Sequence, residues 1–313
     1  MNSVHPSVAV SIIIPCRNHA RELDRCLRSL RAQSSDEPFE IIVVDSSSTD
    51  AVVAVTRNYP DVHLVRSEHR LMPGAARNLG ARQSRGRILA FVDADCIVEA
   101  DWIATLRRAL ETDCRAVGGA VLDGKPGNAI SVIDNLMQFV DLHPSRKRGP
   151  RDLLPSCNIA IARTDFDAVG GFPELALPAG EDVLFCGRLR SRWKDGLHFE
   201  PAMQVRHFGR SKLREFWMHQ ICFGFCRGAY ALELRPEHRQ IARYWVAAPA
   251  VAMKRLWYLL SHAADRPAQL TRAVVLLPLL TVGVVAWSIG FRRGCLNDTL
   301  IQSVTGERSQ PEA

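Results

Sequence analysis

Hydrophobic and polar positions alternate along the first half of the chain with two periods. Val8–Pro15 is almost continuously apolar and β-branched, the pattern of a strand buried on both faces of a parallel sheet. Ala20–Gln33 then places Leu23, Leu27 and Leu30 on one helical face with arginines opposite. Glu40–Val44 predicts a second buried strand ending at Asp45, Val52–Asn58 a short helix, and Val62–Arg66 a third strand. Pro73–Gln83 predicts a helix with proline at its start, and Ile88–Val92 a fourth strand that runs straight into Asp93-Ala94-Asp95.

This β-α repetition predicts an open, mostly parallel α/β sheet flanked by helices, with ligands beyond the carboxyl ends of its strands. From Ala116 the pattern is less regular. Strands are expected at Ala116–Leu122, Asn158–Ile161 and Phe199–Val205, and helices around Val132–Val140, Glu181–Arg192 and Lys212–Arg227.

The last 70 or so residues change character. Arg272 and Arg292 bracket an uncharged stretch, Ala273–Phe291, interrupted by Pro278 and Gly283 and just long enough to cross a bilayer of about 30 Å. Upstream, Arg243–Ser261 mixes Trp245, Trp257 and Tyr258 with Lys254 and Arg255, as interfacial segments do. The expectation is a catalytic domain over residues 1–235 and a C-terminal hydrophobic, membrane-associated helical appendage over 236–313. A hydrophobic helix packed on the core has the same composition.

Composition narrows the classes. The 313 residues are 47% hydrophobic and 23% charged, with mean hydropathy near zero, which excludes a disordered chain and a polytopic transporter. The net charge of +7 suits nucleic acid, anionic lipid or phosphate-rich substrates without separating them. No nucleic-acid motif or basic-aromatic stripe is visible, so nucleic acid is not the expected partner. Nine scattered cysteines form no CxxC pair and no metal-type spacing, and read as reduced thiols of a cytosolic compartment. The first apolar run is too short for a signal h-region and is expected to be a strand.

The chemistry gathers at strand ends. Two carboxylates one residue apart in Asp93-Ala94-Asp95 cannot both be buried as ions without a partner. A divalent cation sharing phosphate oxygens and water is the natural one, although a solvated loop has the same sequence. Asp45 opens Asp45-Ser46-Ser47-Ser48-Thr49-Asp50, where an acid can take a ribose hydroxyl or base edge while Thr49 or Asp50 caps the next helix. Arg77, at a helix start, can reach a diphosphate or base carbonyl, or lie on the surface. Glu181-Asp182 opens a helix, where acids serve either the helix dipole or as general base. His207 follows a strand and is a metal ligand or a polar strand end.

Taken in order, these pieces resemble the family 2 glycosyltransferases, inverting enzymes of GT-A fold. The resemblance rests on Ser11-Ile12-Ile13-Ile14-Pro15-Cys16-Arg17-Asn18, Glu40–Asp45 with Ser48-Thr49-Asp50, Gly74–Gly80 around Arg77, Phe91–Asp95, and Gly170-Gly171-Phe172 followed by Glu181-Asp182. It implies a nucleotide-diphosphate sugar donor, UDP-linked by default, with Mg²⁺ or Mn²⁺ on the diphosphate. The donor site would take Pro15, Arg17, Asn18, Asp45, Arg77, Asp93, Glu181 and Arg227. The metal would take Asp93 and Asp95, with His207 as a further contact, and Asp182 would be the base. Gln220 and Arg227 fall where many members carry a Gln/Arg-containing helix over the donor, without the Gln-x-x-Arg-Trp pattern of processive synthases. Cys16-Arg17 replaces the more frequent aromatic, and Ser46 a frequent acid or amide. The expected acceptor is a hydroxyl, lipid-linked or a cell-surface glycan precursor, used at the cytoplasmic face of the inner membrane. The basic run Arg146–Arg151 would suit an anionic surface. Two other classes share part of this pattern. A nucleotidyltransferase would carry a glycine-rich loop after the first strand, and Pro15–Ala20 has none; a P-loop motif is absent. A non-catalytic nucleotide-sugar-binding scaffold would have no need of the base.

Overall fold

A computed structural model describes residues 8–112, 114–234 and 248–297. The chain divides into two compact units. One takes in the chain up to Gly124, then Leu142–Glu174 and Glu181–Phe208; the other takes Lys125–Asp141, Leu175–Gly180 and the chain from Gly209 on. The domain boundary expected at residues 235 and 236 lies outside the described residues. The described division instead falls at Gly209 and adds an internal helix to the second unit.

The first unit is built on one mixed sheet. Its strands are β1 (Val10–Cys16), β2 (Phe39–Asp45), β3 (Val62–Arg66), β4 (Ile88–Val92), β5 (Cys96–Val98), β6 (Ala116–Asp123), β7 (Gly149–Pro150), β8 (Asn158–Ala162) and β9 (Leu197–His207), in the order β3-β2-β1-β4-β8-β6-β9-β5 with β7 on β9. The pairs β3-β2, β2-β1 and β1-β4 are parallel, as the apolar runs of β1, β2 and β4 predict. β8 enters antiparallel to both β4 and β6, and β6-β9 returns to parallel. The helices of this unit are α1 (Ala20–Arg31), α2 (Ala51–Thr56), α3 (Pro73–Gln83), α4 (Trp102–Leu110), α6 (Arg163–Ala168) and α7 (Glu181–Arg192).

Leu23, Leu27 and Leu30 of α1 are fully buried, as the spacing requires. Asp50 stands at the N-cap of α2 but makes no capping bond; its carboxylate pairs with Arg66 at 2.5 Å instead. One face of the sheet carries an aromatic core, with Phe91 edge-on to Phe172 and Phe172 stacked on Phe185 at 4.2 Å. None of the nine cysteines forms a disulfide and eight are buried, Cys222 being the half-buried one.

The second unit is helical: α5 (Ala129–Phe139), α8 (Leu213–Leu234), α9 (Ala248–Ala263), α10 (Pro267–Val275) and α11 (Leu277–Cys295). Ile133, Met137, Phe216, Leu259, Leu280 and Val284 form its core. α8 and α11 touch backbone to backbone. A Cβ on Gly224 would lie 1.9 Å from the Trp287 carbonyl, and one on Gly290 would lie 2.0 Å from the Ile221 carbonyl. Gly228 and Gly294 continue the same contact one turn on. A Gly-xxx-Gly spacing on both helices is the small-residue pattern of close helix crossings.

The expected single apolar span is broken here. Pro278 lies in the first turn of α11, and α10 meets α11 at an angle of 80°. Proline fits a first turn because its missing N–H has no partner there anyway. Among the described residues no single helix is long and apolar enough to cross a membrane; the bent α10–α11 pair passes that test by length and composition together.

Candidate active site

The site lies at the carboxyl ends of the first unit's strands. β1 and β2 end side by side, with Cys16 in register with Asp45 and the Ser46 amide donating to the Cys16 carbonyl. Asp45 is fully buried. Its Oδ1 accepts from the Ser47 amide at 2.8 Å, while Oδ2 is buried with no protein partner. A buried carboxylate oxygen left this way costs about 1–3 kcal/mol, and a donor N–H or hydroxyl from a ligand would remove that cost. Pro15, next to last in β1, is half-buried, and Arg17 is exposed just beyond the strand. Asn18 is different. It sits at φ 60°, its amide donates to Ser47 Oγ, and its side-chain oxygen accepts from Ser48 N and Oγ. Asn18 therefore braces the two loops.

β4 delivers Asp93, one-third exposed, and the chain then turns into β5. β5 pairs antiparallel with the end of β9, which puts Cys96 opposite His207. That register brings Asp95 Oδ2 to 3.5 Å from His207 Nε2 across 112 residues of chain. The gap is long for a hydrogen bond. It is close to the ~3 Å separation of neighbouring ligands around a cation with ~2.1 Å bonds. His207 is itself 5% exposed. Among the described residues no three His, Cys, Asp or Glu side chains converge to hold an ion alone. The donor set thus fits a hard cation that takes its remaining ligands from phosphate and water, as Mg²⁺ does.

Arg77 ties the halves together. It is 2% exposed; its Nη2 donates to Asp93 Oδ1 at 2.6 Å and its Nη1 to Glu181 Oε1 at 2.7 Å. Ser156 Oγ donates to the same Glu181 oxygen at 3.1 Å, and the guanidinium lies 5.5 Å over Phe172. α3 can come this close to the loop before α7 because Gly74 has no side chain: a Cβ there would meet the Pro173 carbonyl at 2.4 Å. Asn78, next along the helix, clamps the same loop by exchanging hydrogen bonds with the Phe172 backbone.

Arg77 and Glu181, both expected on the donor, are buried and hold each other, while Arg77 Nε and Glu181 Oε2 keep no protein partner. Serine at 156, which periodicity alone did not single out, belongs with them.

Asp182, beside Glu181, is half-buried at the start of α7 and accepts from the Val183 amide at 2.8 Å. Burial, followed by repulsion from Glu181, pushes its carboxyl up to about 7, against the pull of Arg77 and of backbone amides. A carboxyl that titrates near neutrality can both take and return a proton. Asp93 is also raised, by burial first; Arg77 opposes this, while Asp95 and Glu181 add to it.

The remaining candidates belong to other elements. Arg227 is exposed on α8 of the second unit. Gln220, on the same helix, is buried and donates to Asp134, which His219 also contacts at 3.0 Å. Gln220 is thereby committed to a polar cluster inside that unit. In the basic run, Arg148 pairs with Glu200 at 3.0 Å and Arg151 covers the Phe199 ring.

Residues 11–166 match the family described as Glycosyl transferase family 2. Glycosyltransferase AglE of Haloferax volcanii is 28% identical over 178 residues, 55% of this chain and 58% of that protein. The pre-mycofactocin glycosyltransferase of Mycobacterium tuberculosis is 28% identical over 230 residues, 69% of this chain and 46% of that one. The chain therefore spans about half the length of the curated relatives it matches. Among solved structures, the mannosyltransferase PcManGT from Pyrobaculum calidifontis, in complex with GDP-Man and Mn²⁺, superposes with a TM-score of 0.60 at 20% identity, over 92% of this chain and 88% of that one. GalNAc-T7 with UDP, GalNAc and Mn²⁺ superposes with a TM-score of 0.53 at 16% identity, over 72% of this chain and 50% of that one. With the sheet order, the strand-end carboxylates and these likenesses together, the chain belongs to the family 2 glycosyltransferases and has the GT-A fold.

Proposed function

We propose that this glycosyltransferase moves a sugar from a nucleotide-diphosphate sugar, UDP-linked by default, to a hydroxyl acceptor by a single inverting displacement. The observation that carries the reading is the joint hold of Arg77 on Asp93 and Glu181, beside a base that titrates near neutrality. Asp182 takes the proton of the acceptor hydroxyl as that oxygen attacks the anomeric carbon. The bond from that carbon to the diphosphate breaks, and its electron pair leaves with the diphosphate. Asp45 meets a donor N–H or ribose hydroxyl with its unpartnered oxygen. Arg77 keeps Asp93 oriented toward the donor and Glu181 fixed behind the base.

Asp95 and His207, with Asp93 alongside, would hold Mg²⁺ or Mn²⁺. The bound ion would supply charge neutralisation at the departing diphosphate. Mn²⁺ in the two solved neighbours supports this. We propose the cytoplasmic face of a membrane for the reaction, with a lipid-linked or cell-surface glycan precursor as acceptor. This part rests on the apolar C-terminal helices and on the cytosolic supply of nucleotide sugars.

The test is donor binding by calorimetry across UDP-, GDP- and dTDP-sugars, with Mg²⁺ or Mn²⁺ and with EDTA, for wild type and Asp95→Ala. One donor bound only with metal, and lost in Asp95→Ala, supports the reading. Metal-independent binding unaffected by Asp95→Ala would overturn the metal assignment. NMR showing that the product retains the donor's anomeric configuration would overturn the single displacement.

A further inference from the structure

α11 is divided lengthwise. Gly283, Val284, Ala286, Ser288, Gly290 and Gly294 are buried within the helical unit. Leu277, Val282, Val285 and Ile289 are each 36–42% exposed. Val282, Val285 and Ile289 recur at i, i+3 and i+7, so they form a stripe along the helix and not a belt around it, and Leu277 opens the helix at the bend. At the α10–α11 bend the stripe runs into Val274 and Val275, 56% and 71% exposed. Apolar side chains this exposed and this contiguous mark a contact surface.

The described segment 248–297 carries six basic residues, Lys254, Arg255, Arg266, Arg272, Arg292 and Arg293, against one acid, Asp265, a net charge of +5. Arg272 precedes the exposed valines, and Arg292 and Arg293 follow Ile289, so the stripe has cations at both ends.

We propose that this stripe, led by the α10–α11 bend, inserts into one leaflet of an anionic phospholipid bilayer with both helices lying in the interface. Geometry opposes a crossing. Leu277–Phe291, the uncharged part of α11, is 15 residues or about 22 Å at 1.5 Å per residue, against about 30 Å of hydrocarbon. Its buried face is also already taken by α8 through the paired glycines. An apolar stripe with basic ends is the pattern of in-plane anchors, whose binding grows with buried apolar area and with anionic lipid. The cations at both ends favour an anionic lipid surface over a second copy of this chain, whose matching face would carry the same charge. The proposal does not depend on the donor or the acceptor.

The test is flotation of the full chain with vesicles of phosphatidylcholine plus phosphatidylglycerol, or of phosphatidylcholine alone, at low and high salt. Wild type is compared with Val275→Glu and with the triple variant Val275→Glu/Val285→Glu/Ile289→Glu. Each variant is checked for an unchanged melting temperature and unchanged hydrolysis of a soluble donor. The expected result is salt-sensitive flotation with anionic vesicles, release by alkaline carbonate, and at least about a tenfold loss of partitioning in the triple variant. Should the triple variant fail to fold, the single Val275→Glu change at the most exposed position gives the same readout. Retention after carbonate would overturn the in-plane geometry in favour of a span. Absence of flotation would overturn the proposal, as would a wild-type dimer that the triple variant turns into a monomer without any vesicle binding.

Discussion

At the scale of single residues, the assignment of Asp182 makes two claims of opposite sign. As a base it must be ionised, so transfer should rise with pH and level off above about 7, where burial and Glu181 have moved its titration. A profile flat between pH 5 and 8, by initial rates under saturating donor, would remove it from that role. Stability should go the other way. The unfolded carboxylate titrates near about 4, so the folded state loses stability as pH climbs from there to about 7 and is level above. Asp182→Asn should abolish that slope in thermal melts and slow transfer by about 10²–10⁴-fold, with donor affinity kept. Arg77 is the stability-critical neighbour. Arg77→Met leaves Glu181 buried without its cation and Asp93 half-released, at a cost of about 3–5 kcal/mol. Adding Glu181→Gln should recover part of the denaturation midpoint without restoring transfer. Asp93 and Asp95 stand just past the strand end where the hydrophobic pattern put them, whereas Asp182 was legible only as an acid opening a helix, its role as base resting on the family resemblance. The Arg77–Glu181–Ser156 contact was not legible, because residues 77 and 181 meet only through tertiary packing.

At the scale of elements, the buried strands were the readable part. Ile88–Val92 and Pro73–Gln83 stand where their patterns put them. β5 escaped notice because three residues carry no period, yet its pairing with β9 is what sets His207 beside Asp95. The stretch Ala273–Phe291 misled for the converse reason. Composition shows an apolar run but not its direction, and Pro278 opens a new helix instead of being absorbed in a long one. The α8–α11 contact was equally hidden, since no single glycine announces its partner. It gives a sharp prediction: Gly290→Val must push against the Ile221 carbonyl and should cost at least about 1–3 kcal/mol by denaturant midpoint. Gly127→Ala, which meets nothing within 4 Å, is the control and should stay within about 0.5 kcal/mol.

At the scale of the whole molecule, a ligand that binds only the folded chain raises its stability by mass action, by about 2.7 kcal/mol at a hundredfold excess over Kd. Donor plus Mn²⁺ should therefore raise the melting temperature together, EDTA should cancel the rise, and His207→Ala should lose the metal-dependent part while melting normally without ligand. A rise of equal size in EDTA would detach Asp95 and His207 from the donor. The double hold of Arg77 also bears on how such enzymes can be recombined. The segment matching the family description stops at residue 166, short of Glu181 and Asp182. A chimera that joins the donor half of one protein to the acceptor half of another, with its seam anywhere between residues 93 and 181, leaves one guanidinium serving carboxylates of different parentage. Only parents that share that ionic triangle are compatible at such a seam. Donor preference is better altered at positions outside the triangle, with Arg17 and Ser46 the first to vary.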